Sequence, residues 1–175
     1  YIDGVHFNER KHWLNDDYVK FIRYSEYLIN KNEEGILAFI NPHGFLDNTT
    51  FRGMRNHLLK TFDKIYTIDL HGNSNKKEIC PDGSKDENVF DIKQGVSINI
   101  FVKKEERKKG LGEVYHTELF GDREKKFDSL NNLDTKDVKW SKLVNTKPNF
   151  FFVPRDTNAE EVYIKGFKID ELMVE

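Results

Sequence analysis

Gly35-Ile36-Leu37-Ala38-Phe39-Ile40-Asn41-Pro42 is an apolar run that ends on a turn signal. Residues 51–62 follow with helical spacing. Lys64-Ile65-Tyr66-Thr67-Ile68-Asp69-Leu70-His71-Gly72 is a second apolar run, and Val96-Ser97-Ile98-Asn99-Ile100-Phe101-Val102 a third, after a polar insert. Strand, helix, strand, long loop, strand is the grammar of an α/β sheet. The first run lacks clean alternation, as does a central parallel strand covered on both faces. The third alternates, with Val96, Ile98, Ile100 and Val102 against Ser97, Asn99 and Phe101. That pattern predicts partial burial or an antiparallel neighbour. No glycine-rich cofactor loop precedes or interrupts these runs. They read as the second half of a sheet whose first half lies elsewhere.

Working outward, residues 1–17 are mixed and polar, with isolated Phe7 and Trp13. Asp16 or Asp17 is placed to cap a helix over residues 18–31. Its apolar positions, including Val19, Phe21, Ile22, Tyr24, Leu28 and Ile29, form a wide stripe. Gly35 is the stop signal before the strand. Past the first strand, Thr49 or Thr50 is placed to cap the next helix. Met54, Leu58, Leu59 and Phe62 supply its buried face, and Arg52, Arg55, Asn56 and Lys60 its wet one. Residues 71–94 are too long for an ordinary connection and carry a turn at Pro81-Asp82-Gly83-Ser84. The charged stretch 103–112 predicts a hairpin into Glu113-Val114-Tyr115-His116-Thr117-Glu118-Leu119. Residues 122–132 read as a short helix, 134–143 as a weak segment anchored by Trp140 and Leu143, and Phe150-Phe151-Phe152-Val153 as a strand. Expected domains are 1–120, an α/β unit, and 121–175, a small α+β extension or linker.

The chain has 175 residues, 37% of them hydrophobic and 13% aromatic, enough for one ordered core. Its 28 basic and 30 acidic residues give a net charge of -2, so net charge does not argue for nucleic acid. A single cysteine, Cys80, excludes an internal disulfide framework and fits a reducing, cytoplasmic setting. No apolar run approaches the length of a membrane span, and no membrane partner is expected. A start at Tyr1, with no initiator Met, suggests a processed chain or a segment cut from a longer polypeptide.

The run 35–47 with its Asn41-Pro42-His43-Gly44 turn, then Phe51-Arg52-Gly53-Met54-Arg55, Ile68-Asp69-Leu70-His71-Gly72-Asn73 and Val89-Phe90-Asp91-Ile92, resembles the adenine-specific (N6) DNA methyltransferase region of large bacterial restriction-modification polypeptides. The resemblance is good over residues 18–120 and continues through 150–154 and 165–167, which in such chains precede target recognition. It implies a partial Rossmann-like, S-adenosylmethionine-dependent methyltransferase sheet with one antiparallel strand. Residues 96–102 would then lie between residues 36–40 and 65–70. The family's cofactor loop and its Asn-Pro-Pro-Tyr catalytic loop are not in this chain. Asn41-Pro42 is not that motif, because it follows the fifth strand and His43-Gly44 stands where Pro-Tyr is required.

The resemblance therefore implies a fragment that is inactive alone, with no catalytic residue and no cofactor of its own. Its parent would move a methyl group from S-adenosylmethionine to an adenine flipped out of double-stranded DNA. Phe90 matches the aromatic that packs on that base, and Asn41, Pro42 and Phe45 would line the pocket. Read as residues alone, Phe90 is first a plug that packs the loop onto the sheet, and Phe45 is ordinary core. Lys76, Lys77, Lys85 and Lys93 are candidate contacts to the DNA backbone, offset by neighbouring acids. His43 reads as a turn histidine and no metal set is evident. Asp69 is placed to orient His71 or the loop. Expected partners are the N-terminal half of the methyltransferase domain and DNA. The rival reading is a non-catalytic docking or adapter module that self-associates through an exposed sheet edge.

Overall fold

A computed structural model describes residues 12–106 and 110–155. The strands are β1 (Gly35–Pro42), β2 (Lys64–Asp69), β3 (Val96–Lys103), β4 (Glu113–Glu118) and β5 (Ser141–Leu143). The helices are α1 (Asp17–Lys31), α2 (Arg52–Thr61) and α3 (Arg123–Asn132). The strands form one mixed sheet in the order β1-β3-β2-β4-β5. β3 runs antiparallel to both neighbours, pairing Ile40 with Ile98 on one side and Ile68 with Ile98 on the other. That is the order the resemblance implied.

One face of the sheet is covered by α1 and α2. Val19, Ile22 and Ile29 of α1 meet Met54, Leu58 and Leu59 of α2 over Ile65, Phe101 and Val114. A carboxylate joins the two helices. Fully buried Glu26 pairs with His57 Nε2 at 2.7 Å, accepts from Thr61 Oγ1, and meets Arg23 at 3.0 Å. Burial alone would raise its pKa. The bonds from His57 and Thr61 and the charges of His57 and Arg23 hold it below the usual carboxylate range. A smaller core on the opposite face gathers Ile68, Leu70, Val89 and Val96 with Leu130 and Trp140.

Several expectations are corrected. β1 is no doubly covered parallel strand: among the described residues it pairs with β3 alone, antiparallel, at the sheet's margin. Its burial alternates, leaving Ile36 69% and Ile40 47% exposed. On β3 the polar set, Ser97 and Asn99 with Phe101, is the fully buried one. β4 makes no hairpin with β3. Both edges of β3 are already hydrogen-bonded, so β4 takes the free edge of β2 and runs parallel to it. The crossing needs a glycine: Gly112 donates to Leu59 O at 2.7 Å, and a Cβ there would sit 2.1 Å from Phe62 O.

Arg55 is fully buried rather than wet. It donates from Nε to Asn149 O at 2.9 Å and from Nη1 to Phe45 O and Asn48 O at 2.7 and 2.8 Å. Burial pulls its pKa down to about 10. The residue ties the turn after β1 to residues 149–152. Those residues form no strand. Phe150 has φ 50°, outside strand geometry, and buried Phe152 donates its N–H to Leu46 O at 2.8 Å. The helix caps differ too. Asp16 makes no side-chain cap bond, and Asn48, not a threonine, accepts from Thr50 N at 2.9 Å ahead of α2.

Residues past 120 continue the same sheet. β5 pairs with β4, and Trp140 packs edge-on against Tyr66 at 5.1 Å. Asp122 caps α3 by accepting from Lys125 N at 2.8 Å. Lys126 reaches from α3 into the loop 70–95, where it meets Asp86 at 2.8 Å with both side chains fully buried. Its ammonium also donates to Leu70 O and Glu87 O, while Asp86 accepts from Gly72 N and Gly121 N. Every strong partner is therefore used, which is what makes a buried pair tolerable. Lys126→Met should cost about 3–5 kcal/mol, the range for a buried pair broken on one side. Adding Asp86→Asn should restore part of it. Urea midpoints of the three proteins are the measurement.

Candidate functional site

The carboxyl ends of β1, β2 and β4 and the start of β3 meet at one end of the sheet, where ligands of open α/β sheets collect. Asp69, the last residue of β2, organises it. Its Oδ1 accepts from His43 Nδ1 and from the His71 N–H, both at 2.9 Å. An ionised carboxylate has no proton to give, so His43 Nδ1 is the donor. His43 Nε2 then faces Asn73 Nδ2 at 3.3 Å. Burial alone would raise Asp69's pKa, but the His43 bond and the charges of His43 and His71 keep it below the ordinary value.

His71 stands at φ 52°, stacked on Phe120 with ring centroids 3.9 Å apart. Glu118 at the end of β4 lies 3.4 Å from its Nε2, and Glu78 lies 4.0 Å from Nδ1. Burial would depress its pKa. The Glu118 contact and the charges of Asp69, Glu78 and Glu118 raise it instead. His43, His71 and Glu78 bring metal-ligating atoms within 4.8 Å of one another, a convergence the expectation of no metal set missed. Glu78 also accepts from Asn73 N at 2.8 Å, so each member already serves the loop's own bonding.

The loop then turns outward. Asn88 is buried and holds it: Nδ2 donates to Gly72 O and Gln94 O at 3.1 and 2.7 Å, and Oδ1 accepts from Phe90 N at 2.9 Å. Gly72, at φ 77°, lets this happen, since a Cβ would come within 2.4 Å of Asn88 Cα. Val89 turns inward to the smaller core, and Phe90 turns outward, 43% exposed. Phe90 lines a cavity of about 820 Å³ with Lys93, Lys85, Ser74 and Arg123, in which acids outnumber the cations.

The remaining expected residues divide. Pro42 and Lys76 line a second cavity of about 280 Å³ with Trp13, Phe51, Asn73 and Gly95. Asn41 is buried, its Oδ1 accepting from Asn99 Nδ2 at 2.9 Å. Phe45 is fully buried, edge-on to Phe152 at 6.2 Å, a core rather than a lining position. Lys77 is exposed, and Lys85 is paired with Glu87 at 2.7 Å. Sequence reasoning did not single out Asn88, Arg123 or Glu78. An Asn two residues before Phe90 has the spacing of an Asx turn and was findable. Arg123, far along the chain, left no local signal.

No protein-family model matches the chain, and no curated protein matches it. Solved structures do. A DrdV–DNA complex determined by cryo-EM is 27% identical with a TM-score of 0.68, covering 80% of this chain and 13% of that one. The ATP-dependent Type ISP restriction-modification enzyme LlaBIII bound to DNA is 26% identical with a TM-score of 0.68, covering 82% of this chain and 10% of that one. A nuclease-deletion mutant of the Type ISP enzyme LlaGI, in complex with a DNA substrate mimic, is similar in fold at 22% identity and a TM-score of 0.68. The chain thus spans about a tenth of the length of these neighbours. Among the described residues, no helix is long and apolar enough to cross a membrane.

Two ionised groups at this site, Asp69 and His71, make opposite pH contributions. Asp69 has a folded pKa below its unfolded value of about 3.9. Its share of stability is full above that value and is lost as pH falls through the folded one. His71 has a folded pKa above its unfolded value of about 6.5. Its share is full below that value and is lost as pH rises through the folded one. Stability should therefore decline on the alkaline side from roughly pH 6.5 upward. His71→Asn, which keeps a residue suited to positive φ, should flatten that limb in urea-midpoint titrations and make the acid limb shallower, because the His71 imidazole also helps hold Asp69 and Glu118 below their ordinary values.

Proposed function

We propose that the chain is part of the adenine-specific DNA methyltransferase region of a restriction-modification enzyme, the half of its Rossmann-like sheet that backs the base pocket. The observation that carries this reading is β3, antiparallel between β1 and β2 and entered through a braced turn that presents Phe90 to solvent. The likeness to restriction-modification enzymes bound to DNA supports it. In the parent, S-adenosylmethionine and the catalytic loop belong to the preceding half of the domain. Double-stranded DNA approaches the carboxyl ends of the strands. An adenine must leave the stack to be methylated on N6, and an exposed ring at that end offers it a flat apolar wall. Pro42 and Lys76 sit on the neighbouring cavity, toward the margin at which β1 is open.

In this reading the preceding half of the domain packs on that margin. α1 faces α2 through Glu26, and the other flank of α1 carries Phe21, Tyr24 and Leu28, all exposed. Below it, β1 offers one unpaired backbone edge among the described residues, with Ile36 and Ile40 outward. Apolar helix flank above open strand edge is how a two-layer fold looks where it continues. The second reading, a docking module, draws on this same surface.

In the full-length polypeptide, Phe90→Ala should lower DNA methylation about five- to hundredfold, the range for a lost base–aromatic contact. Binding of S-adenosylmethionine should be unchanged, and Phe90→Trp should retain most activity. Equal methylation by wild type and Phe90→Ala overturns the base-wall role. For the isolated chain, light scattering should show concentration-dependent association that Ile36→Lys with Ile40→Glu abolishes. A monomer at all concentrations removes the docking reading.

A further inference from the structure

The turn that presents Phe90 has no helix or strand of its own, so something else must fix where the ring points. The bonds converge on one side chain. Arg123, in the first turn of α3, donates from Nε to Asn88 O at 2.9 Å and from Nη2 to Phe90 O at 3.1 Å. The same Nη2 meets Asp91 Oδ1 at 2.7 Å. A planar guanidinium thus holds two carbonyls on either side of Val89 and the carboxylate that follows Phe90. With both carbonyls turned toward α3 and Val89 inserted in the core, the Phe90 side chain is left on the solvent side. Asn88 closes the turn from beneath through its own three bonds. α3 is itself fixed by the buried Lys126–Asp86 pair, so the clamp has a rigid base.

We propose that Arg123 is a positioning residue for target-base stacking: it locks the 88–91 turn so that Phe90 stays presented. This rests on the base-wall reading of Phe90 and adds an address for its control, on a helix beyond residue 120. Ordering the turn in advance removes an entropic cost at the moment the base arrives. A lysine cannot reproduce the clamp, because its single nitrogen replaces two that are set in a fixed plane.

The test uses the full-length enzyme and a duplex carrying 2-aminopurine at the adenine of its own methylation site, mapped from the modified DNA of an expressing strain. The analogue brightens when it leaves the stack and is quenched when it lies on an aromatic ring. Phe90→Ala and Arg123→Ala should give the same raised emission, with methylation slowed about five- to hundredfold in each. The double variant should be no slower than Phe90→Ala alone, because both remove one contact. Arg123→Lys should fall between. Wild-type emission in Arg123→Ala, or losses that multiply in the double variant, overturns the proposal while leaving Phe90's role intact. If Arg123→Ala fails to fold, Arg123→Lys decides: intermediate emission supports the clamp and wild-type emission overturns it. No effect of Phe90→Ala defeats the base-wall reading and this proposal with it.

Discussion

β3 must be hydrogen-bonded on both sides, and that requirement shapes the molecule. β2 ends at Asp69, and the chain has to re-enter the sheet at Val96, beside it and in the opposite direction. Two residues would suffice to turn between adjacent antiparallel strands. Residues 70–95 are inserted there instead, all at the carboxyl end of the sheet. The filled edges of β3 then send β4 around to the far side of β2, and β5 after it. The site is thus the place where the fold has more chain than it needs for connection.

Such a loop has little apolar surface to bury, and it is held by buried polar groups that make several bonds each. Asp69 fixes His71 near its start, Asp86 its middle and Asn88 its last turn. Each accepts or donates more than one bond, and two of the three involve ionised carboxylates bonded to N–H groups, the strong kind of hydrogen bond. Buried charge of this sort adds little net stability compared with an apolar core. It does select a single arrangement, because losing one member strands the others without water.

The local grammar was legible. α1, α2, the four longer strands, the long loop and the short α3 follow from periodicity and turn residues, and Phe90 drew notice as the apolar group at the loop's far end. Partners were less legible than elements. Alternation on β3 marks two faces without saying which is covered, and the fully buried set is Ser97, Asn99 and Phe101. Arg55 reads as a surface cation because three carbonyls that accept from it come from residues 45, 48 and 149. The Phe150-Phe151-Phe152 run has strand composition, yet it folds as a turn that plugs two rings into the core and leaves Phe151 against Arg55 and Arg155. In each case a contact distant in sequence overrides the local pattern.

The same logic bears on where one functional unit ends and the next begins. A break near residue 120 looks natural in the sequence, since the strand pattern stops and charged, weakly periodic residues take over. In the fold, Arg123 and Lys126 both reach back across it, one to the turn carrying Phe90 and the other to Asp86 beneath that turn. They lie one helical turn apart on α3, so a single rigid displacement of that helix moves both. Whatever follows α3 in the chain is therefore mechanically continuous with the exposed ring. A change in the pose of α3 would reach the Phe90 turn through the two Arg123 hydrogen bonds of 2.9 and 3.1 Å.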